Sequence, residues 1–274
     1  MHYVPHPEQA RRMTTDELRD GFLVGGLFQP GSLQLRVIDL DRVVLGGAVP
    51  TGEPIALTTP EHLAAEYFCE RRELGILNIG GPGTVTVDGT RHAMANRDGL
   101  YVGRGSCEVA FESDDAQDPA RYYLISYLAH AEYPTMHVSR DEAESAELGS
   151  QAEANHRRIH RYFHLNGVRT SQLVMGFTEL QEGSVWNTMP CHTHARRSEV
   201  YLYFDVAPDA VVFHFMGDPQ ETRSLVVRDG DVVLSPGWSI HSGVGTRSYT
   251  FCWAMGGENQ VYSDMQGVRM QDLR

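Results

Sequence analysis

Three histidines and one glutamate have the residue types and spacing of a metal site: His192, His194, Glu199 and His241. His192 and His194 are two residues apart, and side chains at that spacing on a strand point to the same face, so both imidazoles can reach one point. Imidazole and carboxylate groups bind Zn, Fe, Mn, Ni or Cu, and an octahedral metal would keep open positions. A lone His-x-His pair is more often no metal site, but the additional Glu199 and His241 favour the metal interpretation.

The segments around these residues must turn to bring the side chains together. Glu199 lies five residues after His194, and on an unbroken strand this odd offset would place it on the opposite face. Residues 195–198 must therefore turn or bulge, so that Glu199 faces inward from the next strand. His241 follows a second turn, in the spacing Gly230-x5-Pro236-x4-His241.

Short β-like runs separated by Gly, Pro and Asp turns follow a single helix signal near the start. Thr14-x-x-Glu17 forms a capping box ahead of apolar residues at helical spacing and predicts a short N-terminal helix. The later runs predict an all-β sandwich or barrel. The predicted strands are Leu33–Ile38, Val43–Leu45, Ile76–Ile79, Thr84–Val87, Leu100–Val102, Tyr122–Leu128, Leu173–Phe177, Val200–Phe204, Val211–Phe215, Ser224–Val227, Val232–Leu234 and Tyr249–Trp253.

The two halves of the chain resemble each other weakly. Arg71-Arg72-Glu73 and Arg196-Arg197-Ser198-Glu199 each precede a predicted strand, at an offset of 196 − 71 = 125. Arg97-Asp98-Gly99 and Arg228-Asp229-Gly230 differ by 228 − 97 = 131. A duplication would give two stacked barrels of about 130 residues each. We predict an N-terminal barrel over residues 1–140, a linker region over 141–160 and a C-terminal barrel over 161–274.

The histidine pattern resembles the metal signature of the cupin superfamily, H-x-H-x(3,4)-E followed by G-x5-P-x-G-x2-H. The ligand positions of this signature fall on His192, His194, Glu199 and His241, and Gly230 and Pro236 fall on two structural positions. The glycine of the signature that follows the proline stands one position early, as Gly237.

Longer segments closely resemble the family of 4-deoxy-L-threo-5-hexosulose-uronate ketol-isomerases, also called 5-keto-4-deoxyuronate isomerases, nearly end to end. The resemblance implies a bicupin, usually hexameric, with one Zn²⁺ per subunit at those four residues. It also implies aldose–ketose isomerisation of 5-dehydro-4-deoxy-D-glucuronate to 3-deoxy-D-glycero-2,5-hexodiulosonate in pectin and uronate breakdown. The matching positions of the first half hold no His-x-His, so a degenerate N-terminal barrel without metal is expected. The segments are 70–81, 187–197, 239–246 and 257–262.

Isomerisation also needs a base with a pKa near neutrality and a group that holds the carboxylate of a sugar acid. Glu258, which follows the last predicted strand, is our candidate for the catalytic base, although a solvated or structural carboxylate is the commoner role. An Arg guanidinium matches a carboxylate better than Lys does. The arginines near the metal-site segments are Arg196, Arg197, Arg223 and Arg247.

Three alternatives stay open. One is another sugar-acid isomerase, such as one acting on 5-deoxyglucuronate. Another is an Fe(II) cupin dioxygenase, because three His and one Glu also suit Fe(II). A sugar-sensing or storage cupin has less support, because no basic segment of helix-turn-helix size and no secretory signal are visible.

The amino-acid composition disfavours some classes of binding partner and cellular location. The 274 residues include 36 acidic and 23 basic side chains, a net charge of −13 that disfavours nucleic acid and anionic membranes. No run approaches the ~20 apolar residues of a membrane span. Four cysteines without a C-x-x-C pair, and the absence of a secretory signal, fit a reducing cytoplasm. We expect a cytoplasmic homo-oligomer that binds a small sugar acid.

Overall fold

The computed structural model describes all residues 1–274, which form two compact units. Unit 1 comprises residues 1–2, 26–144 and 162–174, and unit 2 comprises residues 3–25, 145–161 and 175–274. Both units are built mainly from β-strands paired into sheets, with only short helices, which confirms the predicted all-β class. Every predicted strand overlaps a strand of the structure.

The predicted N-terminal helix belongs to unit 2. This helix, α2 (Thr15–Phe22), follows a four-residue helix, α1 (Pro7–Ala10), and leads into β1 (Leu23–Val24). Its capping box is formed: Thr14 Oγ1 accepts from the Glu17 N–H, and Glu17 Oε2 accepts from the Thr14 N–H at 2.6 Å. Neither helix has the length and apolar character needed to cross a membrane.

Unit 1 contains a six-stranded sheet, β11-β8-β5-β10-β3-β2, and a four-stranded sheet, β4-β9-β6-β7. Its core contains the inward-facing residues Leu74, Ile76, Val85, Phe111 and Leu124. The strands are β2 (Ser32–Val37), β3 (Val44–Val49), β4 (Ile55–Ala56), β5 (Arg72–Asn78), β6 (Gly83–Val87), β7 (Thr90–Met94), β8 (Gly99–Val102), β9 (Val109–Ser113), β10 (Tyr122–Leu128) and β11 (Met136–Val138), with short 3-10 turns at Leu40–Arg42, Glu61–Leu63 and Phe68–Glu70.

Unit 2 contains a seven-stranded sheet, β1-β20-β17-β22-β14-β13-β12, a four-stranded sheet, β15-β21-β18-β19, and the pair β16-β23. The strands are β12 (Glu144–Leu148), β13 (Arg157–Phe163), β14 (Val174–Leu180), β15 (Trp186–Asn187), β16 (His192–Thr193), β17 (Arg197–Phe204), β18 (Val212–Asp218), β19 (Glu221–Val227), β20 (Val232–Ser235), β21 (Ser242–Gly245), β22 (Thr250–Gly257) and β23 (Gln266–Gly267), with 3-10 turns at Gln151–Glu153 and Met270–Asp272.

The units do not follow the expected segments 1–140, 141–160 and 161–274. Residues 3–25 join unit 2, because β1 pairs with β20 through Leu23↔Val233. The expected linker, 141–160, instead supplies β12 and most of β13 to the seven-stranded sheet. Because β12 is an edge strand with mostly exposed polar residues, its sequence lacks the apolar alternation of a half-buried strand.

Both units contain a turn in which an aspartate side chain accepts from the backbone N–H three residues earlier. The positions of this turn give a different alignment of the two halves from the one expected from the sequence. In unit 1 the Ala95 N–H donates to Asp98 Oδ2, and in unit 2 the Arg228 N–H donates to Asp231 Oδ2, both at 2.9 Å. Asp98 therefore matches Asp231, at an offset of 231 − 98 = 133 rather than the 131 expected from the sequence. The sequence match had aligned Asp98 with Asp229, because it followed the Arg-Asp-Gly letters rather than the hydrogen bonds.

Candidate metal centre and its cavity

Unit 2 brings together the four residues predicted as metal ligands, here called the ligand set: His192, His194, Glu199 and His241. Their ligand atoms all lie within 4.8 Å of one another. Strand β16 carries His192, the loop after it carries His194, β17 carries Glu199, and His241 directly precedes β21. The turn expected before Glu199 is present, where the Arg197 N–H donates to the His194 carbonyl.

A close backbone approach holds the ligand loop against the turn that precedes His241. Gly237 accepts the His194 N–H through its carbonyl at 3.2 Å. A Cβ at Gly237 would lie 2.4 Å from the His194 carbonyl oxygen, so no side chain fits there. The Gly237 of the cupin-like pattern thus fixes the distance between two of the ligand-bearing segments.

The hydrogen-bonding pattern of His194 fits a cation in the ligand set. Its Nδ1 lies 3.0 Å from the carbonyl oxygen of Asp264, which can only accept, so Nδ1 carries a proton. Its Nε2 faces Glu199 Oε2 at 2.8 Å and His192 Nε2 at 3.2 Å, so three atoms with lone pairs available for a metal converge. Lone pairs that converge in this way are stabilised by a positive ion, and fixing Nδ1 by a carbonyl is the usual outer support of a metal-binding His. The residues therefore fit a metal.

Burial and mutual proximity set the charges of the ligand set. Burial first, and then His241, lower the pKa of His192 to about 3, so this imidazole is neutral. Burial alone would raise the pKa of Glu199, but His241 and the contacts of Glu199 with His194 and His241 outweigh burial and hold that pKa well below its usual value. The set therefore offers neutral imidazole and an ionised carboxylate, the forms that bind metal.

The segment 258–268 holds the ligand loop from the outside. Strand β23 pairs with β16 through His192↔Gly267, and Gln266 Oε1 accepts the Ala195 N–H at 2.7 Å. The Asp264 carbonyl accepts from both His194 and Arg197. The orientation of the ligand loop therefore depends on residues about 70 positions later in the chain.

A cavity of about 320 Å³ opens over the ligand set. Its walls are largely apolar and aromatic, from residues that include Ile159, Phe251, Trp253, Met255 and Met265. Largely apolar walls with a few polar groups that can orient a ligand are typical of small-molecule sites.

One arginine, Arg157, lines this cavity. Its NH1 donates to the Asn155 carbonyl at 2.8 Å, which leaves other guanidinium donors for a ligand. Burial lowers the pKa of Arg157, while Tyr262 and Tyr201 raise it, and an Arg side chain remains a cation. Arg157 was missed in the sequence because it lies 35 residues before His192 and outside any motif. Tyr262 ends the segment 257–262, which resembles the family, but it was not singled out as a site residue.

The other candidates from the sequence lie outside the cavity lining. Glu258 is exposed, and its N–H donates to the Arg196 carbonyl. Arg196 is itself exposed, and Arg247 forms an exposed ion pair with Asp209.

The two remaining arginines are held by carbonyl oxygens. Arg197 is buried and donates to the Asp264 carbonyl, whereas Arg223 donates to the carbonyls of Ala10 and Met13.

A buried polar network lies beside the ligand set, inside unit 2. The hydroxyl of Tyr203 lies 2.7 Å from His214 Nδ1, and Asn187 Nδ2 donates to the hydroxyl of Tyr249 at 2.7 Å. The ring of Tyr201 packs between those of His214 and His241. Burial first, and then His241, lower the pKa of His214 to about 3.

Comparison with known proteins finds full-length relatives. A family model described as the KduI/IolB family matches residues 31–269. The 4-deoxy-L-threo-5-hexosulose-uronate ketol-isomerase of Halalkalibacterium halodurans is 53% identical over 272 residues, covering 99% of this chain and 99% of that protein. The protein of the same name from Opitutus terrae is 50% identical over 275 residues, covering 100% and 99%.

Solved structures share the fold at low sequence identity. An IolB-like protein from Salmonella typhimurium has a TM-score of 0.72 at 14% identity, over 90% of this chain and 96% of that one. Oxalate decarboxylase of Bacillus subtilis, a protein with Mn(II) centres, has a TM-score of 0.60 at 10% identity, over 90% and 77%. These similarities show a bicupin fold, as the sequence resemblance had implied.

Proposed function

This chain belongs to the KduI/IolB family, and on that premise we propose that it is a metal-dependent ketol-isomerase of uronate catabolism in pectin breakdown. It converts 5-dehydro-4-deoxy-D-glucuronate to 3-deoxy-D-glycero-2,5-hexodiulosonate. The observation that carries the proposal is the 53% identity with a ketol-isomerase along 99% of both chains. The ligand set, which lies at a largely apolar cavity, gives that identity a chemical basis.

The reaction turns the C1 aldehyde into a hydroxymethyl group and the C2 alcohol into a ketone. His192, His194, Glu199 and His241 would hold a metal ion, which would supply Lewis-acid polarisation of the substrate carbonyl. Zn²⁺ suits three imidazoles and one carboxylate, and we propose it as the resident ion, one per subunit. The protein's part is to hold the ligands in their unprotonated forms and to orient the substrate over them.

Arg157 would bind the carboxylate of the sugar acid. It is the one cationic side chain of the cavity lining, and its fork can form two parallel hydrogen bonds with a carboxylate. Because Arg157 and residues of the ligand set line the same cavity, a carboxylate bound at Arg157 would leave the opposite end of a six-carbon acid to reach the ligand set. The aromatic and apolar walls would exclude water, which strengthens both contacts.

Tyr262 would act as a neutral donor at the cavity wall. Its ring packs on Trp253 with centroids 5.6 Å apart, and the Arg161 guanidinium lies over it at 5.2 Å. Burial first, and then Glu199, raise the pKa of Tyr262, so its phenol stays protonated near neutral pH. It can therefore hydrogen-bond to a substrate oxygen without adding negative charge to the site.

We also propose a cytoplasmic homo-oligomer, a hexamer by resemblance. The four cysteines are free thiols, which supports a reducing compartment. Light scattering after size-exclusion chromatography measures the assembly directly, and a monomer would contradict the proposal.

The decisive experiment is turnover of the 4-deoxy-uronate made by a pectin or uronate lyase, measured with and without a chelator. We expect isomerisation that stops on chelation and returns on adding Zn²⁺, with elemental analysis giving one metal per chain. No turnover by the metal-loaded protein would overturn the substrate assignment. Activity on 5-deoxyglucuronate, or oxygen consumption by the Fe(II)-loaded protein, would then identify which alternative holds.

A further inference from the structure

Two hydroxyl groups form a pair in the cavity wall next to the ligand set. Thr188 Oγ1 and the Tyr201 hydroxyl oxygen are 3.0 Å apart, and both residues line the cavity. Tyr201 lies two residues after Glu199 on β17, so both side chains face the same side of the strand. The Tyr201 ring also packs on that of His241, with centroids 5.4 Å apart. The pair therefore lies beside the reacting end of a ligand held over the ligand set.

The pair has one hydroxyl proton to offer to the cavity. Each hydroxyl carries one proton, and one of the two is used in the bond between Thr188 and Tyr201. The ring contacts of Tyr201 with His214, His241 and Phe251 enclose its body. The remaining O–H can therefore be satisfied by a ligand oxygen in the cavity.

The backbone of Thr188 is unusual for its residue type. Its φ is +49°, in the left-handed region, where β-branched side chains are disfavoured. The other non-glycine residues with positive φ are Asp, Arg or Ala. Hydrogen bonds hold the turn: Ser242 Oγ donates to the Asn187 carbonyl at 2.9 Å, and Asn187 Nδ2 donates to Tyr249. A strained conformation that its surroundings enforce beside a cavity points to a role for the side chain.

We propose that Thr188 is a positioning residue for the isomerisation. Thr188 holds the Tyr201 hydroxyl so that the pair donates one hydrogen bond to the substrate oxygen that gains negative charge during isomerisation. The inference rests on the proposed function and assigns a residue to it. Because the hydrogen bond strengthens as charge develops on that oxygen, its loss should lower kcat more than it raises KM.

The test compares three variants of Thr188 in the full-length, metal-loaded protein. T188V keeps the shape and removes the hydroxyl, and we expect kcat to fall by about 10²-fold. T188S keeps the hydroxyl and should retain kcat within about tenfold. T188G removes the hydroxyl and also the strain, so it should lose kcat like T188V without a lower unfolding midpoint. A merely structural Thr188 would instead lower the unfolding midpoint in T188V and leave kcat unchanged.

Two further variants sharpen the test. Y201F should lose kcat like T188V, and the double variant should lose no more than either alone, because the two hydroxyls act as one unit. A154G relieves a positive φ of +53° in unit 2 outside the cavity lining and should keep full activity.

The outcomes separate the two proposals. A T188V protein with the kcat of an active wild type overturns the role of Thr188 and leaves the proposed function standing. The role of Thr188 is equally overturned if T188V only raises KM or loses its metal by elemental analysis. A wild-type protein that does not isomerise the 4-deoxy-uronate overturns both.

Discussion

Unit 1 and unit 2 each bury a glutamate at the start of a central strand, but the two carboxylates face opposite sides of their sheets. The β5–β8 and β17–β20 pairings match when β8 and β20 differ by 133 residues (235 − 102) and β5 and β17 by 125 residues. Leu74 therefore takes the place of Glu199 (199 − 74 = 125). Leu74 is fully buried in the apolar core of unit 1. Glu73 stands one residue earlier and therefore points to the other face.

Glu73 serves the fold rather than chemistry. Its carboxylate accepts the backbone N–H groups of Ser171, Gln172 and Leu173 at 2.6–2.8 Å, and the hydroxyl of Tyr101 at 2.8 Å. These bonds hold residues 162–174 in unit 1. A carboxylate with four donors has no need of a metal.

The loop before β5 in unit 1 also lacks the metal-binding histidines of unit 2. At the offset of 125, Tyr67 and Cys69 stand in unit 1 where His192 and His194 stand in unit 2. Burial raises the pKa of Cys69 to about 12, so it is a thiol and not a thiolate ligand. The comparison teaches that the scaffold can be repeated without its site, which supports the expectation of one metal, in unit 2.

The largest expected effect comes from removing a ligand. His192→Ala should abolish metal binding and lower turnover by about 10³-fold or more, since metal polarisation of the substrate is lost. Elemental analysis and an activity assay measure both, and circular dichroism checks the fold. The matched control in unit 1 is His92→Ala, which should keep metal and activity. Full activity without bound metal would contradict the comparison.

The next largest effect is expected from removing Arg157, the cationic side chain of the cavity lining. Arg157→Ala removes charge-assisted hydrogen bonds to the carboxylate, worth about 1.5–3 kcal/mol, so KM should rise about 10- to 100-fold. Steady-state kinetics measure it, with Arg247→Ala, which breaks an exposed ion pair, as the control. An unchanged KM in Arg157→Ala would assign the carboxylate to another group.

Glu73 of unit 1, unlike the ligand Glu199 of unit 2, should contribute to stability and not to activity. Glu73→Gln leaves several donors poorly matched and should lower the free energy of unfolding by about 2–4 kcal/mol, with kcat unchanged in the folded protein. Denaturant titration measures the free energy of unfolding, and steady-state kinetics measure kcat. Glu112→Gln, at a partly exposed ion pair with Arg91, should cost at most about 1 kcal/mol. Loss of metal in Glu73→Gln would show that the units are not separate in function.

Per pH unit, the smallest expected effect is a pH dependence of the free energy of unfolding, which arises in unit 2. The pKa of His214 is about 3 in the folded protein, whereas an unfolded His takes up a proton near pH 6.5. The unfolded state therefore binds more protons between these values, and stability falls as the pH falls, by up to about 1.4 kcal/mol per pH unit. His214→Phe should flatten this slope between pH 6.5 and 4 in chelator-treated protein. Equal slopes in wild type and variant would contradict the assignment.

The sequence determined the features that depend on local spacing. The His-x-His pair, the turn before Glu199 and the capping box of Thr14 each follow from residue types a few positions apart, and the structure contains all three. The short apolar runs between Gly, Pro and Asp turns likewise predicted strands of both units.

Tertiary structure alone decided the rest. The sheet edge β12 has a polar sequence and is a strand because β13 pairs with it. Arg157 lines the cavity because β13 belongs to the same sheet as β17, and the Asp264 carbonyl fixes His194 across 70 residues. Such contacts depend on which segments pack together, and no motif records them, because packing depends on the whole fold and motifs depend on near neighbours in the chain.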